Sequence, residues 1–141
     1  MCVFKKGKES YKRILNIEFK HKNATKKNIS KDILKLIHEE PNGAFILLLK
    51  NTDSGTLKSV LNKFLNSFKT HIKKWNGDKY IQLMILSLEE KENGKPFLIH
   101  RTINEKSLTS DKNCFSIDNI ESVVVSKAPL EGEWGKIINK N

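Results

Sequence analysis

The chain has 141 residues, of which 38% are hydrophobic and 30% are charged, a balance typical of one globular domain rather than of a disordered segment. No apolar run approaches the roughly 18 residues that a membrane span requires, and the amino terminus lacks the apolar stretch of a secretion signal. Cys2 and Cys114 are isolated, so we expect reduced thiols and a soluble cytoplasmic domain without a membrane partner.

The net charge of +10 is unevenly distributed along the chain. Residues 1–35 contain eleven basic residues (Lys or Arg) and three acidic ones. Residues 36–110 contain eleven basic and eight acidic residues, and residues 111–141 contain four basic and five acidic residues. A strongly basic first quarter is typical of proteins that bind phosphate backbones. A general bias towards lysine explains the same numbers equally well, and Lys binds phosphate without the bidentate geometry of Arg.

The first half of the chain alternates between strand and helix patterns. Leu15, Ile17 and Phe19 alternate with polar residues and predict a half-buried strand. Ser30 is the expected N-cap of a helix that ends at a Pro-Asn-Gly turn. The continuous apolar run over residues 44–49 then predicts a central strand.

A second helix is predicted over residues 57–72, where apolar residues form one stripe and lysines occupy the other side. Asn93-Gly94 follows, between apolar strands that we predict over residues 80–88 and 96–103. Asn-Gly accepts the positive φ angles of a type I′ turn, so this pattern predicts a β-hairpin. With a two-residue turn, Ser87 would be paired with His100.

Residues 104–112 are expected to form a loop, and residues 120–125 are expected to form the last strand. The predicted order is β-α-β-α-β-β. It predicts a single α+β domain of ferredoxin-like layering, in which two helices lie on one face of a largely antiparallel sheet. Its expected parts are a basic N-terminal segment 1–13, a core 14–126 and a short C-terminal tail 127–141.

Residues 56–104 resemble the rolling-circle replication initiators and relaxases of the HUH endonuclease superfamily. The resemblance is carried by a lysine-bearing helix, a strand that ends in Glu89, a Gly-Lys-Pro turn and a strand that bears His100. Residues 132–141 are similar to the closing helix of that family. The resemblance makes Glu89 and His100 the candidates for the family's catalytic metal ligands. We expect no cofactor and no catalytic residues, and Mg²⁺ or Mn²⁺ is expected only if the chain is a nuclease of this type.

The sequence departs from the family pattern at both reactive groups. The family has a His-hydrophobe-His strand. Aligned on residues 97–99, this motif has no histidine here, and aligned on residues 98–100 it has only His100. The nucleophilic tyrosine falls on Ile137, and the chain's two tyrosines, Tyr11 and Tyr80, lie elsewhere. Apolar side chains supply neither lone pairs for a metal nor a phenol for a covalent intermediate. The resemblance therefore implies a degenerate member that has lost nicking.

In the predicted hairpin, Glu89 and His100 are diagonal neighbours on one face, because side chains two residues apart share a strand face. Two interpretations of this pair are open. The two side chains are within reach of one metal ion, or they form an ordinary cross-strand polar pair on a solvated surface.

Three functions follow from the sequence. We predict a non-catalytic or degenerate nucleic-acid-binding domain, for DNA rather than RNA, in a replication-associated protein of a plasmid, phage or other mobile element. The alternatives are a metal-dependent endonuclease or nickase of the HUH type and a protein-interaction module that binds an acidic partner. The predicted phosphate-binding residues, which position the nucleic acid without reading bases, are Lys5, Lys6, Lys12, Arg13, Lys20, Lys22, Lys26, Lys27, Lys69, Lys73 and Lys74.

Overall fold

The computed structural model describes residues 1–8, 10–22, 24–90, 97–110 and 135–137. The elements, in chain order, are β1 Cys2–Lys6, β2 Tyr11–His21, α1 Lys26–His38, β3 Asn42–Thr52, α2 Ser54–His71, a 3₁₀ turn Ile72–Lys74, β4 Ile81–Glu90, β5 Phe97–Ile103, α3 Glu105–Ser110 and β6 Gly135–Ile137.

Within the described residues, six strands form one mixed sheet in sequential order, from β1 at one edge to β6 at the other. The central strands β2, β3 and β4 are parallel neighbours. The outer pairs, β1 with β2, β4 with β5 and β5 with β6, are antiparallel. The parallel strands are connected through α1 and α2, because a tight turn cannot join parallel neighbours. The predicted α+β class is therefore confirmed.

α1 and α2 pack against each other on one face of the sheet. Each begins at a side-chain cap, in which Thr25 and Asp53 accept hydrogen bonds of 3.3 and 2.6 Å from the backbone N–H three residues later. The apolar stripes of both helices pack on β3, β4 and β5 in one buried cluster. Phe45 of β3 and Phe64 of α2 meet in this cluster edge to face, with ring centroids 4.9 Å apart.

The opposite face of the sheet, which we call the open sheet face, has no helix over it among the described residues. Paired residues share a sheet face, so Ile17, Ala44 and Gln82 are aligned across three strands. The described apolar residues of this face include Val3, Leu15, Ile17, Phe19, Ala44, Ile46, Leu48, Met84, Leu86, Leu88 and Leu98. Phe19 and Leu88 are the most exposed of them, at 56% and 52%.

The predicted order β-α-β-α-β-β is present from β2 to β5, but the ferredoxin-like arrangement is not confirmed, because the three central strands are adjacent and parallel. Residues 1–13, predicted as a basic N-terminal segment of the single domain, contain β1 and the start of β2. Residues 120–125, predicted as the last strand, lie outside the described residues. In the tail, residues 135–137 form a strand rather than the closing helix that the resemblance implied.

The strands on either side of Asn93-Gly94 are antiparallel neighbours, as predicted, but the predicted register is wrong. His100 is paired with Met84 rather than with Ser87. Residues 91–96, which include the predicted turn at Asn93-Gly94, lie outside the described part of the chain. The turn signal therefore identified the right pair of strands and the wrong alignment between them.

Two predicted helix boundaries are also wrong, and side-chain caps explain both. α1 begins four residues before Ser30, because Thr25 is the cap. The predicted loop over residues 104–112 contains α3, since Asn104 and Ser107 cap each other. The Ser107 N–H donates to Asn104 Oδ1 at 2.8 Å, and the Asn104 N–H donates to Ser107 Oγ at 3.1 Å. This reciprocal arrangement satisfies two N–H groups that a helix start leaves unpaired.

Candidate nucleic-acid interface

The first two strands form a hairpin at one edge of the sheet. The chain reverses where the Gly7 N–H donates to the Ser10 carbonyl at 2.8 Å. The pairs on the two strands are Phe4 with Arg13, Lys5 with Lys12 and Lys6 with Tyr11, after a β-bulge between Val3 and Phe4. We call residues 4–13 the basic hairpin, because they contain Lys5, Lys6, Lys8, Lys12 and Arg13 and one acidic residue, Glu9.

The register divides the basic hairpin into two faces. Phe4 and Lys6 are two residues apart on one strand, and they are paired with Arg13 and Tyr11 on the other, so these four side chains share one face. Arg13 contacts the end of α1, which identifies this face as the helix side. The Lys5–Lys12 pair lies on the other face.

Lys5 and Lys12 are directly opposite each other, and both are exposed. Among the described residues, neither has a carboxylate within 4 Å. Two ammonium groups directly opposite each other on paired strands repel each other and destabilise the pairing. The hairpin therefore holds two cations together at the edge of the molecule at a cost to its own stability.

A polar junction at Glu39 holds the base of the hairpin. Arg13 Nη1 lies 3.3 Å from Glu39 Oε2, and the buried Asn16 donates to the same oxygen at 3.3 Å. The Lys79 ammonium donates to the Glu39 backbone carbonyl, and burial lowers the pKa of Lys79, although the nearby carboxylates of Glu40 and Glu39 raise it. Arg13 thus joins the hairpin to the end of α1 and is not a free cation on the surface.

The other predicted phosphate-binding residues are spread over distant parts of the molecule. Lys20 lies eight residues beyond Lys12 on β2, about 26 Å away at 3.3 Å per residue, and it forms a 2.8 Å ion pair with Asp32. The remaining residues form two groups. Lys22, Lys26 and Lys27 lie just after β2 and at the start of α1, whereas Lys69 lies in the last turn of α2 and Lys73 and Lys74 lie in the 3₁₀ turn that follows it. The structure does not bring all eleven residues together.

A groove of about 650 Å³ lies between α1 and the 3₁₀ turn, lined by Lys31, Leu34, Lys35, His38, Glu39 and Lys74. Lys35 is paired with Glu18 at 2.6 Å, and this hydrogen bond raises the pKa of Lys35. The groove lies beside the carboxyl-terminal ends of α1 and α2, where the helix dipoles disfavour anions. We therefore regard the basic hairpin as the better phosphate-binding surface.

The observed register does not support the predicted Glu89–His100 pair, because His100 is paired with Met84 rather than with Ser87. In this register His100 lies on the open sheet face, and the Glu89 side chain is outside the described part of the structure. No three His, Cys, Asp or Glu side chains in the described ranges lie close enough to hold a metal ion.

His100 instead belongs to a polar group on the open sheet face. Its Nδ1 lies 3.2 Å from Gln82 Nε2, and Thr102 Oγ1 donates to Gln82 Oε1 at 2.7 Å. Burial lowers the pKa of the His100 imidazole, which favours the neutral ring, whose Nδ1 can accept the amide hydrogen bond in one tautomer. This arrangement is a structural network rather than a metal site.

Sequence reasoning missed two features that depend on tertiary structure. Ser30, predicted as a helix cap, instead forms a 2.8 Å hydrogen bond with Nε2 of His71 and so joins α1 to α2. Burial, and secondarily the charge of Lys74, lower the pKa of His71. The second missed feature is the pairing of the basic first residues with β2. It was missed because β1 is rich in lysine and has no apolar alternation that would predict a strand.

Comparison of the chain with models of protein families, with curated proteins and with solved structures finds no match. In the ranges that the structure describes, none of the helices combines the length and the apolar character that crossing a membrane needs.

Proposed function

We propose that this chain is a nucleic-acid-binding protein that contacts phosphates through the basic hairpin, without catalysis. The observation that carries the proposal is the exposed Lys5–Lys12 pair. Its mutual repulsion is relieved when a polyanion lies across it. The net charge of +10 adds a long-range field that speeds the encounter with such a partner.

Phosphate contacts of this kind hold a nucleic acid in place but carry no sequence information. The proposal therefore predicts similar affinity for different base sequences and a steep loss of affinity with salt, because each neutralised phosphate releases a counterion. A preference for DNA and a role in replication of a mobile element belong to the same proposal. They rest on the sequence resemblance alone.

Fluorescence anisotropy with labelled oligonucleotides tests the proposal. The double variant Lys5→Gln/Lys12→Gln should bind about tenfold to fiftyfold more weakly at 0.1 M salt, with a salt slope smaller by about two. The matched control is Lys58→Gln/Lys63→Gln, which removes the same charge from α2 and should retain most of the affinity. Equal losses in both double variants would show that net charge, and not the hairpin, determines binding.

The open sheet face favours a second candidate function, a module for a protein partner. Parallel strands are usually covered on both faces, and β3 has the continuous apolar run of such a strand. Lys5 and Lys12 border this face, so the partner we propose is an acidic amphipathic helix. A synthetic helix with Leu on one side and Glu on the other should bind, and Ile46→Lys should abolish its binding without reducing the affinity for oligonucleotides. Absence of binding would dismiss this candidate.

A further inference from the structure

Two aromatic side chains of the basic hairpin are exposed to solvent. Phe4 is 55% exposed and Tyr11 is 68% exposed. Neither belongs to the buried cluster of the domain. Large aromatic side chains at such exposure gain little from the hydrophobic effect, so they are available to contact a ligand.

The hairpin register brings these two rings to one face together with cations. Phe4 is paired with Arg13, and Tyr11 is paired with Lys6, so the two aromatic residues are diagonal neighbours, with Cα atoms about 7–8 Å apart. Each ring therefore has a cationic side chain directly opposite it. Lys5 and Lys12 add positive charge on the other face.

This combination suits a strand whose bases are not paired. Aromatic rings offer flat surfaces on which any base can stack, while neighbouring cations follow the phosphates. The bases of a duplex are stacked on each other and present only their edges in the grooves, so they cannot use exposed rings in this way.

We propose that Phe4 and Tyr11 are stacking platforms for two unpaired bases, and that the basic hairpin therefore binds single-stranded nucleic acid in preference to duplex. This inference rests on the proposed function, because it assigns a ligand class and two contact residues to the same hairpin. Phe4 and Tyr11 supply selectivity, and the lysines supply the affinity that single strands and duplexes share.

An alternative explanation is that the two rings only stabilise the hairpin through diagonal cross-strand contact. Leucine substitutions separate the two explanations, because leucine retains apolar contact across the strands and loses the flat ring. A structural role would lower the melting temperature and weaken binding of single strand and duplex alike. A stacking role would change the ratio of the two affinities.

The experiment compares a labelled 12-nucleotide thymidine oligomer with the duplex that it forms with its complement, by anisotropy at fixed salt. For the oligomer, Phe4→Leu and Tyr11→Leu should each weaken binding by about fivefold to a hundredfold, the range measured for single base–aromatic stacks. Duplex affinity should change by less than about twofold. The control Tyr80→Leu removes an aromatic that is 45% exposed outside the hairpin, and it should leave both affinities unchanged.

The outcomes distinguish this inference from the proposed function. The stacking inference is overturned if the leucine variants bind the oligomer as tightly as the natural chain does. It is also overturned if they bind the oligomer and the duplex more weakly by the same factor. The proposed function then stands if Lys5→Gln/Lys12→Gln still weakens binding selectively. If the natural chain binds neither probe, both proposals are overturned.

Discussion

Lys12→Glu should stabilise the hairpin and weaken nucleic-acid binding at the same time. The substitution places a carboxylate directly opposite Lys5 and converts a repulsive cross-strand pair into an attractive one. Such pairs contribute roughly 0.2–1 kcal/mol each. The change from repulsion to attraction should therefore raise the free energy of unfolding by about 0.5–1 kcal/mol, which corresponds to about 2–4 °C in melting temperature for a chain of this length.

Two measurements on the same variants test this prediction. Thermal unfolding and hydrogen exchange of the β1 and β2 amides report stability, and anisotropy with an oligonucleotide reports binding. Lys12→Gln should lie between the natural chain and Lys12→Glu in stability, because it removes repulsion without adding attraction. Lys58→Glu, on the exposed side of α2, controls for net charge. A lower stability of Lys12→Glu, or an unchanged affinity of this variant for the oligonucleotide, would refute the argument that the Lys5–Lys12 pair destabilises the hairpin and binds a polyanion.

Further predictions concern the helix-covered side of the fold. Phe64→Ala should cost about 3–5 kcal/mol in a denaturant titration, because Phe64 is fully buried against Phe45, and a loss below 1 kcal/mol would contradict the packing described. Asp53→Ala should cost about 1 kcal/mol through loss of the α2 cap. Burial lowers the pKa values of His71 and His100, so the unfolded chain binds more protons than the folded chain below pH 6.5. The free energy of unfolding should therefore fall as the pH is lowered below 6.5. NMR titration should place the pKa values of both histidines below 6.5, and unshifted pKa values would contradict the burial of both rings.

Hydrophobic periodicity predicted the central elements well. The helical stripe over residues 57–72 corresponds to α2, and the apolar run over residues 44–49 lies inside β3. Both signals arise from burial, which the residue pattern records directly. The same run also indicated a strand buried on two faces, although the structure describes a helix layer on only one of them.

Features that depend on a few polar atoms were not predicted. α3 depends on the reciprocal hydrogen bonds of Asn104 and Ser107, and a short Asn-x-x-Ser sequence is common in loops as well as at helix starts. Asn93-Gly94 predicts one register for β4 and β5, but pairing is also determined by side-chain packing along the strands. The observed register differs from the predicted one by an odd number of residues, and an odd shift changes which residues share a sheet face.

The candidate interface was only partly predictable. The basic composition of the first residues identified Lys5, Lys6 and Lys12, but it gave no information about their arrangement. Only the strand register shows that Lys5 and Lys12 are opposite each other and that aromatic residues share the helix-side face of the hairpin. Charge counts alone also included Lys20, which is paired with Asp32, because ion pairing between distant residues leaves no sequence signal.

The most direct test of the account is a map of the amides that respond when an oligonucleotide binds. In ¹H–¹⁵N correlation spectra recorded during a titration, the account predicts that the largest changes occur at residues of β1 and at the start of β2. Changes centred on α2 or on the start of α1, with the hairpin amides unaffected, would contradict it.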